Sequence, residues 1–263
     1  MKKNIGVKPY VNKPRYVSSK IGKTRAIEAN EALHKYVPTT KRLTMATLKS
    51  MLDTHRMVYV KPNVGMFGNG VIRIELADAE KNERPYSYQE GVRLRRFKTF
   101  TDMYASLRKM IGKRPYLVQK GIHLLKYKGN RFDLRVMVQQ TPQRKWETTG
   151  VMGRVAHPAK IVTNFHNGGS LKSFDTLLKA YLPQAEKKEF LQKLQKMGVL
   201  VAKAIEAKYK GVKEIGIDVA LDHEINPWIL EVNTSPDPYI FQRLSDKRIF
   251  RKIRKYAKAY GRL

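Results

Sequence analysis

The chain has no cysteine. That excludes a disulfide scaffold, a thiolate metal site and a cysteine nucleophile. No apolar run approaches the ~20 residues needed to cross a bilayer. The first 25 residues are basic and lack the apolar core of a secretory signal. A soluble, cytoplasmic protein without a membrane span is therefore expected. Acidic residues are scarce, 22 against 53 Lys and Arg, for a formal charge of +31 at pH 7. Such a field draws polyanionic partners: nucleic acid, nucleotides, anionic lipid or acidic polypeptide.

What is present suits a packed fold. Of 263 residues, 42% are hydrophobic and 10% aromatic, enough for one large domain or two modest ones. The charge concentrates at the ends. Residues 1–25 hold eight Lys/Arg and no acid, and residues 243–263 hold nine Lys/Arg and only Asp246. Residues 1–30 show no sustained periodicity and read as a flexible or surface-packed extension. The basic ends are either solvated surface or a docking face for an acidic partner. No helix-turn-helix, zinc-finger or RRM signature is present, so nucleic acid is the weaker candidate.

Apolar spacing predicts helices over Thr44–Leu52, Thr99–Ile111 and residues 184–210. Strands are predicted at Met57–Val60, Val71–Glu75, Tyr116–Gln119, Arg131–Gln139, Glu147–Val155, Glu214–Leu221 and Trp228–Asn233. Residues 76–96 read as a polar excursion between strands. Strands and helices mix without strict βαβ alternation, which argues an α+β fold with largely antiparallel sheets.

Three features carry chemistry. The first is the last hairpin. If Asp222–Pro227 turns and Leu221 pairs with Trp228, Asp218 lies opposite Glu231 and Gly216 opposite Asn233. Two carboxylates and an amide then share one face. Carboxylates this close repel unless a cation or proton lies between them, and an oxygen-only set suits Mg²⁺ or Mn²⁺. A solvent-facing polar strand is the plainer alternative. The second is Lys61–Gly70, a turn between two strands with Gly65, Gly68 and Gly70. Its backbone N–H groups could cradle an anion beside Lys61, or it is simply a tight turn. It matches neither G-x-x-x-x-G-K-[ST] nor G-x-G-x-x-G. The third is Arg131, Asp133 and Arg135 on one strand face, with Arg154 on the expected neighbouring strand: a phosphate fork or a surface ion-pair ladder.

Together these stretches resemble the ATP-grasp superfamily, and within it the YheC/YheD-type, endospore coat-associated proteins. The resemblance rests on VYVKPNVGMFGNGVIRI, YLVQKGIHLLKYKGNRFDLRVMVQ, TGVMGRVAHPAKIVTNFHNGG, and GIDVALD with PWILEVNTSPD. The loop before the metal hairpin is also similar to that of the ribosomal-protein glutamate ligases. The resemblance implies an ATP-grasp fold, two α+β lobes with mainly antiparallel sheets clasping ATP. On that plan residues 1–35 are a basic extension, 36–118 an N-lobe with the glycine-rich flap, 119–242 a C-lobe with the metal hairpin, and 243–263 a basic C-terminal helix. Lys61 and Lys41 would contact the nucleotide with Gly65, Gly68 and Gly70. Gln119, Lys120 and Ile122 would read the adenine edge. Arg135, Arg154 and Asn164 would face the γ-phosphate and an acyl phosphate, while Asp218, Glu231 and Asn233 would hold two Mg²⁺. The implied activity is an ATP-dependent carboxylate–amine ligase acting on an acidic or peptide substrate. The alternative is a non-catalytic, ATP-binding spore-coat component. Many members carry a further domain ahead of this region, so the resemblance implies that the basic ends or a protein partner supply that function.

Overall fold

The computed structural model describes residues 15–158, 160–163 and 168–263. Two antiparallel sheets face each other across a cleft. The first comprises β1 (Thr40–Arg42), β2 (Met57–Pro62), β3 (Ile72–Leu76), β4 (Tyr86–Glu90), β5 (Arg93–Phe97) and β6 (Tyr116–Lys120) in the order β1-β6-β2-β3-β4-β5. Helices α3 (Met45–His55) and α4 (Phe100–Ile111) cover one face. Alternation sorts the residues: Val58, Val60, Ile72, Ile74 and Val118 pack under Leu48, Leu52, Met103 and Leu107, while Tyr59, Lys61 and Gln119 point to the cleft. Thr44 and Thr99 cap the two helices through their side chains.

The second sheet comprises β8 (Asn130–Gln140), β9 (Trp146–Val155), β10 (Ser170–Ser173), β11 (Glu214–Leu221) and β12 (Pro227–Asn233), in the order β10-β9-β8-β11-β12; the short β7 (Lys126–Tyr127) pairs with β8. The long helix α6 (Gln184–Lys208) and the short α5 (Phe174–Leu178) bury Phe132, Leu134, Val136, Ile215, Ile217 and Val219. On the other face, Met137 and Met152 meet Phe241 of a 3₁₀ turn, Leu244 just after it and Ile253 of α7 (Lys247–Ala259). Asp133, Arg135, Arg154 and Asp218, on that same face, line the cleft.

Three expectations change. Residues 20–28 are not extension: they form α1 (Lys20–Glu28), followed by α2 (Glu31–His34), and Ala26, Ile27 and Leu33 enter the second sheet's core. The tract 76–96 is not an excursion, because Tyr86–Glu90 and Arg93–Phe97 form a hairpin turned at Gly91, whose φ is +57°. In the last hairpin Leu221 pairs with Pro227, one residue earlier than expected, because the Asp222 side chain accepts from the Glu224 and Asn226 amides and tightens the turn. A β-bulge between Asp218 and Val219 then inserts Leu230, and Asp218 lies opposite Glu231 and Gly216 opposite Asn233 as expected.

Candidate functional site

A cleft of about 460 Å³ lies between the sheets, lined from both. From the first sheet come Tyr59, Lys61, Gln119 and Lys120, and from the loop between β2 and β3 come Gly65 and Gly68. From the second come Asp133, Arg135, Arg154, Asp218, Glu231 and Asn233. The glycine loop is a backbone device. Gly68 and Gly70 hold φ of +74° and +70°, and a Cβ on Gly70 would lie 2.7 Å from the Tyr116 hydroxyl.

Lys61 crosses the cleft. Its Nζ donates to Gln119 Oε1 at 2.8 Å and to the Leu230 carbonyl at 2.9 Å. Gln119 is fixed in turn by donating to Thr40 Oγ1 at 2.9 Å. Burial pulls the Lys61 pKa from 10.5 to about 8, Lys20 adding to the effect against the pull of Glu231. The Lys120 ammonium sits 4.7 Å from the Trp228 ring centre, a cation–π contact that holds this segment against β12.

On the opposite wall, Arg154 forks Asp133 through Nε at 2.9 Å and Nη2 at 2.5 Å, and Nη2 also reaches Asp218 Oδ2 at 2.9 Å. Thr163 Oγ1 donates to Asp133 at 2.7 Å, and Arg135 Nε donates to Asp218 Oδ1 at 2.7 Å. Burial alone would raise the Asp218 pKa, but Arg135 and Arg154 outweigh it and hold the carboxyl below its usual value. Burial would lower the Arg154 pKa, and Asp133 and Asp218 reverse that and raise it. Asp218, Glu231 and Asn233 project together from the β11–β12 hairpin, with the Asn233 amide oxygen oriented by the Ser235 N–H at 3.0 Å. Among the described residues no group of three or more His, Cys, Asp or Glu is placed to hold a metal ion. A divalent cation here would therefore rest on two carboxylates and an amide, and the all-oxygen donor set fits Mg²⁺ completed by phosphate oxygens.

The residues expected from sequence converge with few exceptions. Gly65, Gly68, Lys61, Gln119, Lys120, Ile122, Arg135, Arg154, Asp218, Glu231 and Asn233 all line the cleft. Gly70 shapes the loop from behind it. Lys41 is exposed on β1, opposite Val118, and contributes no wall. Asn164 lies outside the described residues. Sequence reasoning missed Lys20 and Lys23. Lys20 Nζ joins the loop carbonyl of Gly65 at 2.8 Å to Glu231 Oε1 at 2.9 Å. Lys23 bonds the Val17 carbonyl at 3.0 Å, and burial lowers its pKa to about 8. Only the capping Ser19 marked this helix in advance. The cleft thus buries five cations (Lys20, Lys23, Lys61, Arg135, Arg154) against Asp133, Asp218 and the half-exposed Glu231, a positive surplus suited to an anionic ligand.

A family model described as YheC/D-like ATP-grasp matches residues 8–263. Two curated relatives from Bacillus subtilis (strain 168) are similar. Endospore coat-associated protein YheD is 24% identical over 195 residues, covering 74% of this chain and 42% of its own length. Endospore coat-associated protein YheC is 21% identical over 225 residues, 84% of this chain and 61% of its own length. The chain therefore spans roughly half the length of these relatives. Among solved structures, D-cycloserine synthetase DcsG superposes with a TM-score of 0.54 at 10% identity, over 90% of this chain and 69% of its own. N5-carboxyaminoimidazole ribonucleotide synthetase from Thermotoga maritima gives 0.50 at 13% identity, over 94% and 49%. These likenesses show the fold. Among the described residues no helix is long and apolar enough to cross a membrane.

Proposed function

The chain belongs to the YheC/D-like ATP-grasp family, and from that premise we propose that it is an ATP- and Mg²⁺-dependent carboxylate–amine ligase working through an acyl phosphate, on an acidic or peptide substrate. The observation that carries the reading is Lys61, reaching from the first sheet to the Leu230 carbonyl beside Glu231. Phosphates seated under the Gly65–Gly70 loop would meet Lys61 on one side and Asp218, Glu231 and Asn233 on the other.

The residues divide the work by chemistry. Gln119, Lys120 and Ile122 would hold the adenine edge. Arg135 and Arg154, already oriented by Asp218 and Asp133, would face the γ-phosphate and offset charge on the transferring phosphoryl group. Asn164 is proposed to join them. Asp218, Glu231 and Asn233 would hold Mg²⁺, which when bound neutralises phosphate charge. A substrate carboxylate oxygen attacks the γ-phosphorus, the bond to ADP breaks, and an acyl phosphate forms. The amine then attacks the acyl carbon, phosphate leaves, and the amine's proton passes to solvent. Positioning and fixed charge supply most of the rate.

The test is ADP release by the full chain that depends on both a carboxylate and an amine, screened with acidic amino acids and peptides. Asp218→Ala or Glu231→Ala should lower turnover by about 100-fold or more; undiminished turnover in either defeats the assignment. A second reading, ATP binding without turnover in a coat-associated protein, is favoured by one observation. Both acids are already charge-compensated, Asp218 by two arginines and Glu231 by Lys20. Stoichiometric ATP binding with no ADP release against any carboxylate would select it.

A further inference from the structure

We infer that the outer edge of the first sheet, at β5, is a docking strand for an acidic, extended polypeptide that binds by strand addition. Strand β5 ends the sheet and pairs only with β4. Among the described residues no backbone hydrogen bond covers its other side. Arg93, Leu94, Arg95 and Arg96 are all exposed, and Val92 and Leu94 are exposed apolar side chains at its start.

The groove beside this edge is built rather than merely charged. Arg93 and Arg95, two residues apart, share one face of β5. With Ser106, Lys109 and Met110 of α4, and Tyr88 and Glu90 of β4, they line a cavity of about 270 Å³. Among the described residues no hydrogen bond or ion pair engages the side chains of Arg93, Arg95 or Lys109. An added strand would present side chains to one face every ~6.6 Å, the spacing of Arg93 and Arg95 themselves. Carboxylates at alternate positions would meet those cations while backbone groups completed the ladder. Charges on an edge strand commonly block pairing with other chains. In a chain of net charge +31 they repel a second copy, and the same charges attract an acidic strand. A nucleic acid would use the charges but leave the open N–H and C=O row unpaired, so the peptide is the better fit. The edge lies three strands from β2, roughly 14 Å from the Lys61 wall, and can be tested apart from the cleft.

The probe is a fluorescein-labelled octapeptide of alternating Glu and Val, titrated into the full chain at low and high salt. Saturable binding, weakened by salt, with added hydrogen-exchange protection of β5 amides is expected. The Arg93→Glu/Arg95→Glu variant should bind at least about tenfold more weakly, with ATP binding unchanged. Arg93→Lys/Arg95→Lys should retain most of the affinity. Lys109→Glu, on a separate helix, gives a second reading should the double variant fail to fold. Equal binding by the glutamate variants overturns the proposal. So does protection that leaves β5 unaffected, tighter binding of a single-stranded oligonucleotide of matched charge, or dimerisation through this edge in sedimentation.

Discussion

Replacing Lys61 with methionine separates what one buried amine does for folding from what it does for a ligand. In the native chain Lys61 is buried, donates to Gln119 and Leu230, and has its pKa lowered from 10.5 to about 8. A base with a depressed folded pKa penalises folding while it is protonated in both states. The penalty lifts as pH rises through the folded pKa, and relief is complete above the unfolded one. With each pKa unit worth about 1.4 kcal/mol, Lys61 adds roughly 2 kcal/mol of stability between about pH 7 and about pH 9.5. Methionine cannot titrate, so wild type should gain that much over Lys61→Met across the interval. Lys23, also held at about 8, contributes to both chains and cancels. Near neutral pH the variant sheds the burial penalty but strands two acceptors at about 1–3 kcal/mol each, so the two effects partly offset. Guanidinium denaturation of both proteins at several pH values reads the difference. Parallel stability curves would refute the argument. With the same pair, ATP affinity at neutral pH should fall about 10- to 100-fold through loss of a charge-assisted contact; unaltered affinity would remove Lys61 from the nucleotide site.

Asp133→Asn leaves the buried Arg154 guanidinium short of a counter-charge and should cost about 3 kcal/mol in urea denaturation, whereas Asp133→Asn with Arg154→Met should recover part of that loss. Gly216→Ala places a Cβ 2.8 Å from Pro236 Cβ and 3.1 Å from Arg135 Nη1. A loss of about 1–3 kcal/mol is expected, with ligand binding reduced as Arg135 shifts. Thr99→Ala removes the side-chain cap of α4 and should lower stability by about 1 kcal/mol, leaving ATP affinity untouched.

Most of the sheet strands were legible because alternation is strong where one face is apolar and the other carries function: Val58/Val60 against Tyr59/Lys61, and Phe132/Leu134 against Asp133/Arg135. The β4–β5 hairpin was hidden because its edge strand is almost wholly exposed, so Arg-Leu-Arg-Arg carries no apolar period. Helix α1 was hidden for a related reason. Two of its four buried residues are lysines, held inward by the Gly65 and Val17 carbonyls and Glu231 rather than by hydrophobicity. The facing of Asp218 and Glu231 was readable, yet the bulge that restores it was not, since an extra residue in a strand leaves no mark in composition.

That bulge has a mechanical consequence. Val219–Leu221 pair with β12 at one offset and Gly216–Asp218 at the next, so the tip of the hairpin can change length by a residue while the carboxylates stay aligned. The inserted Leu230 is surplus to the ladder, which leaves its carbonyl as the spare bolt-hole into which Lys61 fastens the facing lobe. Excising Leu230 should therefore keep the strands in step and uncouple the jaws.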